Sequence, residues 1–307
     1  MLVAVGLDVA LGDPPNRAHP VAWLGRLLAA GRRRLCGGGP TRLLVTGATL
    51  TLTVAAVAGV SAALLTTVAG HAGPARPVVI GAGLWLLLSI RGLLTAAAAV
   101  AAPLAAGHLG AARAALGWHL VSRPTRELDA AHVASGAVES VAENLTDAFV
   151  APVIFFLLLG LPGAAVYRAV NTADAMLGYR DGPLEYFGKL AARLDDALNL
   201  VPARLAAIAI VGAAALGGGD APGAWRTLWR DRGRTASPNA GWTMAAMAGA
   251  LGLTLEKPGA YRLGDGRPPQ ARDIGRAMRL TGVAAALATA VLLAGAALVR
   301  TCCSAGT

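Results

Sequence analysis

A chain of 307 residues that is 55% hydrophobic, only 14% charged and of mean hydropathy +0.57 has the composition of a membrane protein, not of a soluble domain. Its formal net charge of +10 would suit a nucleic-acid partner, but the arginines stand at the ends of apolar segments instead of along an aromatic-studded polar surface. Cys36, Cys302 and Cys303 offer neither a disulfide framework nor a metal-ligand spacing, and read as small apolar residues.

Leu2 to Gly12 is a short apolar run containing Asp8, too short to span alone and lacking the basic leader and cleavage pattern of a signal peptide. The turn Gly12 to Pro20 follows. Its prolines preset the backbone and present Asp13, Arg17 and His19 together, although a lone histidine is more often structural than catalytic. Leu43 to Ala69 carries no charge and exceeds the roughly 20 residues that cross a bilayer. Val78 to Ala106 is a second span, interrupted only by Arg91, and Leu280 to Val299 a third. Arg26, Arg32, Arg33, Arg34 and Arg42 precede the first span, whereas only Arg76 follows it. The positive-inside rule therefore places the polar segments between Gly107 and Arg279 on the cytoplasmic side of the cell membrane, and the tail after Arg300 outside.

The middle of the chain admits two readings. Phe149 to Leu159 is about half a crossing, and Gly160-Leu161-Pro162-Gly163 breaks it before the apolar run Ala164 to Val170. A helical hairpin would leave the polar motifs on either side at one membrane face; a straight span would separate them. Leu205 to Leu216 is another short apolar helix, ended by Gly217-Gly218-Gly219, and Met244 to Leu255 is a further helix. The expected fold is thus all-α and polytopic, with half-membrane helices, in a single domain of residues 1–307 without internal repeats.

Polar chemistry gathers between Glu139 and Arg204, where it is costly near a bilayer and so marks a candidate site. Glu139, Glu143 and Asp147 recur at intervals of four, stacking carboxylates on one helical face beside Asn144. Like charges so placed call for a cation, and Mg²⁺ on Glu143 and Asp147 plus substrate phosphates is the natural candidate; a solvated face balanced by Arg123 and Arg126 is the alternative. Asn171 and Asp174 share a face, with Thr172 able to cap a helix. Asp195, Asp196 and Asn199, flanked by Lys189, Arg193 and Arg204, read either as internal salt bridges or as acids for a metal and bases for phosphate. Ser237 and Asn239 are helix caps or substrate contacts. No Walker A, Rossmann, HExxH or nucleophile-elbow sequence occurs.

These motifs also carry a resemblance. Gly12-Asp13-Pro14 with His19-Pro20-Val21, Ser122-Arg123 with Thr125, Glu139-Ser140 with Ala142-Glu143-Asn144 and Asp147, Asn171-Thr172 with Asp174 and Gly178-Tyr179, Ala192-Arg193-Leu194-Asp195-Asp196 with Asn199 and Pro202-Ala203-Arg204, and Ser237-Pro238-Asn239-Ala240-Gly241 stand in family order. From about Asp8 to Tyr261 the chain resembles the CobD/CbiB family of membrane cobinamide synthases.

The resemblance implies an ATP- and Mg²⁺-dependent ligase that joins (R)-1-aminopropan-2-ol or its O-phosphate to adenosylcobyric acid through an acyl phosphate on the corrinoid. It implies as site residues Glu139, Glu143, Asp147, Asn171, Asp174, Asp195 and Asp196, with Asp13, Arg17, His19, Arg123, Asn144, Lys189, Arg193, Asn199, Arg204, Ser237 and Asn239 toward substrate. The lipid bilayer, and either a second copy or other corrinoid-pathway membrane enzymes, are the implied partners. Two departures stand out: Pro124 replaces a usual acidic residue, and Leu255-Glu256-Lys257 replaces a Gly-Gly pair before Tyr261. The rival readings are a non-catalytic regulator resembling AmpE, which would have lost these motifs, and a corrinoid transporter, suggested by Asp8, Arg91 and the half-helices.

Overall fold

The computed structural model describes residues 1–305, so the last two residues, and the side chains of Cys302 and Cys303, lie outside the described residues. In chain order it comprises α1 (Leu2–Leu11), α2 (Pro20–Leu35), α3 (Pro40–Gly70), α4 (Arg76–Trp85), α5 (Ile90–Ala105), α6 (Leu109–His119), α7 (Ala130–Leu145), α8 (Ala151–Leu177), α9 (Leu184–Phe187), α10 (Lys189–Leu198), α11 (Leu200–Leu216), α12 (Ala221–Asp231), α13 (Ala240–Leu251), β1 (Leu255–Lys257), β2 (Tyr261–Leu263) and α14 (Ala271–Ala305). Local chemistry sets the helix starts. Pro20 and Pro40 occupy first turns, where a missing N–H leaves nothing unsatisfied, and the side chains of His19, Asp129 and Asp220 accept from N–H groups at the starts of α2, α7 and α12.

The chain groups into two compact units, one of Met1–Arg91 with Asp147–Asn199, the other of Gly92–Thr146 with the chain from Leu200 onward. In the first unit α3 packs against α2, α4, α8, α9 and α10. Gly47 permits the contact with α9, since a Cβ there would lie 1.8 Å from the Phe187 carbonyl oxygen. In the second, α13 is buried along nearly its whole length against α7, α11 and α12, and a Cβ at Gly249 would lie 2.4 Å from the Gly223 carbonyl.

Among the described residues four helical stretches are long and apolar enough to cross a membrane: Pro40–Gly70, Gly73–Ala105, Ala130–Leu177 and Ala271–Leu298. The first contains the expected span Leu43 to Ala69, and the second and fourth contain the other two but for their last residues, Ala106 and Val299. The second is broken between α4 and α5, where Arg91 Nη1 donates to the Val9 and Ala10 carbonyls at 2.8 and 2.6 Å and its backbone N–H to Asp8 Oδ2 at 3.2 Å. The charged pair in the apolar runs thus closes the C-terminus of α1, where a cation is favoured.

Ala130–Leu177 is not a straight rod. A continuous helix would separate residues 147 and 167 by about 30 Å. Instead the Tyr167 hydroxyl lies 3.4 Å from Asp147 Oδ1, and the rings of Phe155 and Tyr167 stack with centroids 5.2 Å apart. The reversal occurs at Gly160, with φ 69° and ψ −165°, a conformation that a side chain would oppose. Gly163 completes it, since a Cβ there would come within 2.4 Å of Leu159 Cβ. The hairpin reading holds, and the straight span is excluded.

Other boundaries moved. The helix expected over Met244–Leu255 runs from Ala240 to Leu251, because Gly252 takes the left-handed conformation that ends helices and frees Leu255 to pair with Leu263 in a small antiparallel hairpin. The helix expected from Leu205 begins at Leu200.

Candidate functional site

The first unit gathers a buried polar cluster from three segments. Asp147 comes from the first arm of the hairpin, within a widened π-helical turn over Thr146–Val150, a feature frequent at functional sites. Tyr167, Arg168 and Asn171 come from the second arm, and Asp195 and Asn199 from α10 and its C-cap. Spacings of three and four residues put Arg168 with Asn171, and Asp195 with Asn199, on common helix faces. Asn199, only 2% exposed, is the hub. Its amide Nδ2 donates to Asp147 Oδ1 at 3.1 Å and to Asp195 Oδ2 at 3.0 Å, while its Oδ1 accepts from the Tyr167 hydroxyl at 2.9 Å. Asn171 Nδ2 donates to Asp195 Oδ1 at 3.1 Å, and Arg168 Nη1 donates to the Asp147 carbonyl at 3.1 Å and to Asn171 Oδ1 at 3.3 Å.

Two further acids lie close by. Asp174 is within electrostatic range of Asp195 and Asp196, and a Cβ at Gly178 would sit 1.9 Å from Asp174 Oδ1, so a side chain at the end of α8 would displace that carboxylate. Asp196 borders a polar cavity of about 170 Å³ with Tyr179, Arg180, Lys189 and Arg193. Lys189 is paired with Glu185 one turn earlier. Asp147 and Asp195, linked through Asn199 beside the half-buried guanidinium of Arg168, form a carboxylate pair that suits a cation.

The second unit holds two other polar groups. Glu139, 5% exposed, accepts from Ser135 Oγ and the Tyr261 hydroxyl, both at 2.7 Å, with Arg123 Nη2 at 3.6 Å. Ser135 Oγ also accepts from the backbone N–H of Glu256 at 2.7 Å, so the cluster fastens the β1–β2 hairpin to α7. Burial, reinforced by the charges of Glu139 and Glu143, pushes the Tyr261 hydroxyl well above the ordinary tyrosine range, and it stays a donor. Elsewhere in this unit Arg204 Nη1 donates to Asn239 Oδ1 at 2.7 Å, and its guanidinium lies 4.5 Å over the Trp242 ring.

A family model described as CobD/CbiB protein matches residues 1–301. The chain belongs to the CobD/CbiB family. It is 43% identical over 265 residues to a cobalamin biosynthesis protein CobD of Dehalococcoides mccartyi, covering 86% of this chain and 85% of that one. A probable cobalamin biosynthesis protein CobD of Methanothermobacter thermautotrophicus is also 43% identical over 265 residues, 86% of each chain. The CobD of Klebsiella pneumoniae is 40% identical over 315 residues, 95% of each. No solved structure matches.

In this CobD/CbiB chain the motif residues divide between the units. Asp147, Asn171, Asp174, Lys189, Arg193, Asp195, Asp196 and Asn199 fall in the first, and Arg123, Glu139, Glu143, Asn144, Arg204, Ser237 and Asn239 in the second. The carboxylate that the structure brings to Asp147 is Asp195, through Asn199. Asn144 donates back to the Ser140 carbonyl at 2.9 Å, and Ser237 Oγ accepts from the Asn239 N–H at 3.2 Å. Asn239 stands at the N-cap of α13, yet its side chain serves Arg204 instead of capping.

The N-terminal turn carries the motif residues Asp13, Arg17 and His19. Asp13 accepts from Ser89 Oγ at 2.5 Å, and the Arg17 carbonyl accepts from Trp23 Nε1 at 2.9 Å. His19 Nδ1 accepts from the Val21 N–H at 3.2 Å, which leaves the ring proton on Nε2; burial lowers its pKa, with Arg168 adding to the effect and Asp13 opposing it.

Sequence reasoning missed Tyr167 and Arg168 in the cluster, and Ser135 and Trp242 outside it. The signal was present for Arg168: a guanidinium inside the apolar run Ala164–Val170, three residues before Asn171, is costly unless it faces polar partners.

Among the described residues no three His, Cys, Asp or Glu side chains form a metal-binding group. Asp147 and Asp195, joined through Asn199, are a pair that would fit an ion taking one or two carboxylates and completing its shell from water and substrate phosphates, as Mg²⁺ does.

Proposed function

We propose that this chain is the amide-forming ligase of cobalamin biosynthesis, joining (R)-1-aminopropan-2-ol or its O-phosphate to adenosylcobyric acid at the expense of ATP. Family membership supports the pathway, the apolar helices support a multi-pass membrane enzyme, and the Asp147–Asn199–Asp195 bridge is the observation that carries the chemistry. A carboxylate does not form an amide until its oxygen becomes a leaving group, which phosphorylation by ATP achieves. Bound Mg²⁺ would neutralise the phosphate oxygens as charge develops on them.

Asp147 and Asp195 are the residues we assign to Mg²⁺–ATP, held at a fixed separation by the amide of Asn199. Arg180, Lys189 and Arg193 around the neighbouring cavity suit a phosphate, the arginines through their bidentate fork. To Asp196, on the same cavity, we assign the proton that an amine gives up when it attacks. The arginine asymmetry before and after the first span favours a cytoplasmic position for these loops, where ATP is available. A regulator needs no such cluster. The transporter reading keeps only the half-helices as its motive, because Asp8 and Arg91 are engaged at the end of α1.

The test is purified protein in detergent with adenosylcobyric acid, ATP and Mg²⁺, and either aminopropanol or its phosphate, followed by mass spectrometry for a cobinamide product. A product that depends on ATP and Mg²⁺ is expected. Its absence with both amines, in protein that unfolds cooperatively, would refute the assignment.

A further inference from the structure

The second unit contains a cavity of about 240 Å³ that the ligation chemistry does not use, bounded by Gly217, Gly218 and Gly219 after α11 and by Arg276, Arg279, Leu280 and Val283 of α14. The glycine turn forms one wall. A Cβ at Gly217 would lie 3.5 Å from Leu280 Cδ2, and Gly218 adopts φ 75°, which side chains oppose. The charges are unbalanced in one direction: Asp273 Oδ1 accepts from Arg267 Nη2 at 2.7 Å and from Arg276 Nη1 at 3.1 Å, so one buried carboxylate serves two guanidiniums. Arg279 adds a third positive group one turn further along α14.

Its level relative to a bilayer follows from the sequence. Arg279 is the last charged residue before the uncharged stretch Leu280–Val299, so the cavity straddles the boundary between headgroups and hydrocarbon. A soluble anion would gain nothing from the Leu280 and Val283 wall, and a zwitterionic lipid nothing from the excess positive charge. We propose that the cavity binds the headgroup of an anionic phospholipid, with the phosphodiester on Arg276 and Arg279 and the first acyl carbons along Leu280 and Val283. This site is independent of the ligation reading.

The experiment titrates phosphatidylglycerol into the full-length protein in a non-ionic detergent and reads bound lipid by native mass spectrometry and the unfolding midpoint by thermal scan. Saturable binding with a raised midpoint is expected for phosphatidylglycerol and not for phosphatidylcholine. Arg279→Gln should weaken it about fivefold, the equivalent of the ~1 kcal/mol that one basic side chain contributes near an anionic surface. Arg279→Glu should abolish it, and the control Arg262→Gln, an exposed position on β2, should leave it unchanged. Equal binding of the two lipids, an undiminished effect in Arg279→Glu, or an equal loss in Arg262→Gln would overturn the proposal. Reproduction of the midpoint shift by millimolar inorganic phosphate would assign the site to a soluble anion and overturn it as well.

Discussion

Replacing Asn199 by alanine removes the one side chain that touches Asp147, Asp195 and Tyr167 together. Two of its hydrogen bonds run to carboxylates at 3.1 and 3.0 Å and one to a hydroxyl at 2.9 Å, all at a site 2% exposed. Bonds to charged acceptors are worth about 1.5–3 kcal/mol each, and neutral side-chain bonds within membranes only about 0.6 kcal/mol. The gross loss is therefore about 4–7 kcal/mol. Water entering the space, or protonation of one carboxylate, returns part of it, so a net destabilisation of about 3–4 kcal/mol is expected. The consequence is local before it is global, because these bonds pin both arms of the hairpin to α10. In detergent, Asn199→Ala should unfold at a clearly lower midpoint and lose ligation. Asn199→Asp, which puts a third carboxylate between two others, should be at least as impaired at neutral pH and partly rescued by high Mg²⁺. A midpoint for Asn199→Ala within a degree of wild type, with turnover retained, would refute the bridging role.

Asp147→Asn and Asp195→Asn keep side-chain volume while removing charge and should each abolish ligation in protein that still inserts into the membrane; wild-type turnover at ordinary Mg²⁺ would show that the altered position holds no metal. Single cysteines at Asn144, Thr172 and Ser237 should all react with an impermeant thiol reagent from the cytoplasmic side, since the chain reverses at Gly160, and labelling of the first two from opposite faces would contradict this. Arg193→Lys should raise the KM for aminopropanol phosphate or ATP severalfold with little change in stability, whereas Arg204→Lys, losing its fit to Asn239 and its place over Trp242, should lower the unfolding midpoint more than it alters any KM. Asp231 supplies a pH test. Burial raises its carboxyl pKa, but bonds from Arg230 and the Gly264 N–H, with the charges of Arg230 and Arg234, outweigh this and hold it below the ordinary value. Its stabilisation is therefore complete above the unfolded pKa of about 3.9 and lost as pH falls through the folded one, so Asp231→Asn should unfold at a lower midpoint near neutrality with a shallower acid limb. Parallel acid limbs for variant and wild type would remove Asp231 from that role.

Composition and the lengths of uncharged runs determined by themselves that this is a polytopic helical protein, because the thickness of hydrocarbon and the cost of exposed backbone leave few alternatives. The ordered motifs likewise determined the family, and Asp147, Asn171, Asp195 and Asn199 were legible as candidates for a polar cluster because polar groups are costly in so apolar a chain. Tertiary structure alone decided which of them meet. Spacing of four placed Glu139 and Asp147 on one imagined face, yet Glu139 is engaged by Ser135, Tyr261 and Arg123, while Asp147 is engaged by Tyr167 and Asn199 from segments 20 and 52 residues away. No periodicity encodes such partners. Tyr167 and Arg168 escaped notice for the same reason: their roles depend on the left-handed turn at Gly160, which returns the second arm against the first. A helix pattern reports which side of a segment is polar. Which other segment fills that side is settled by the packing of the whole unit, where every buried polar group has to find its partner at once.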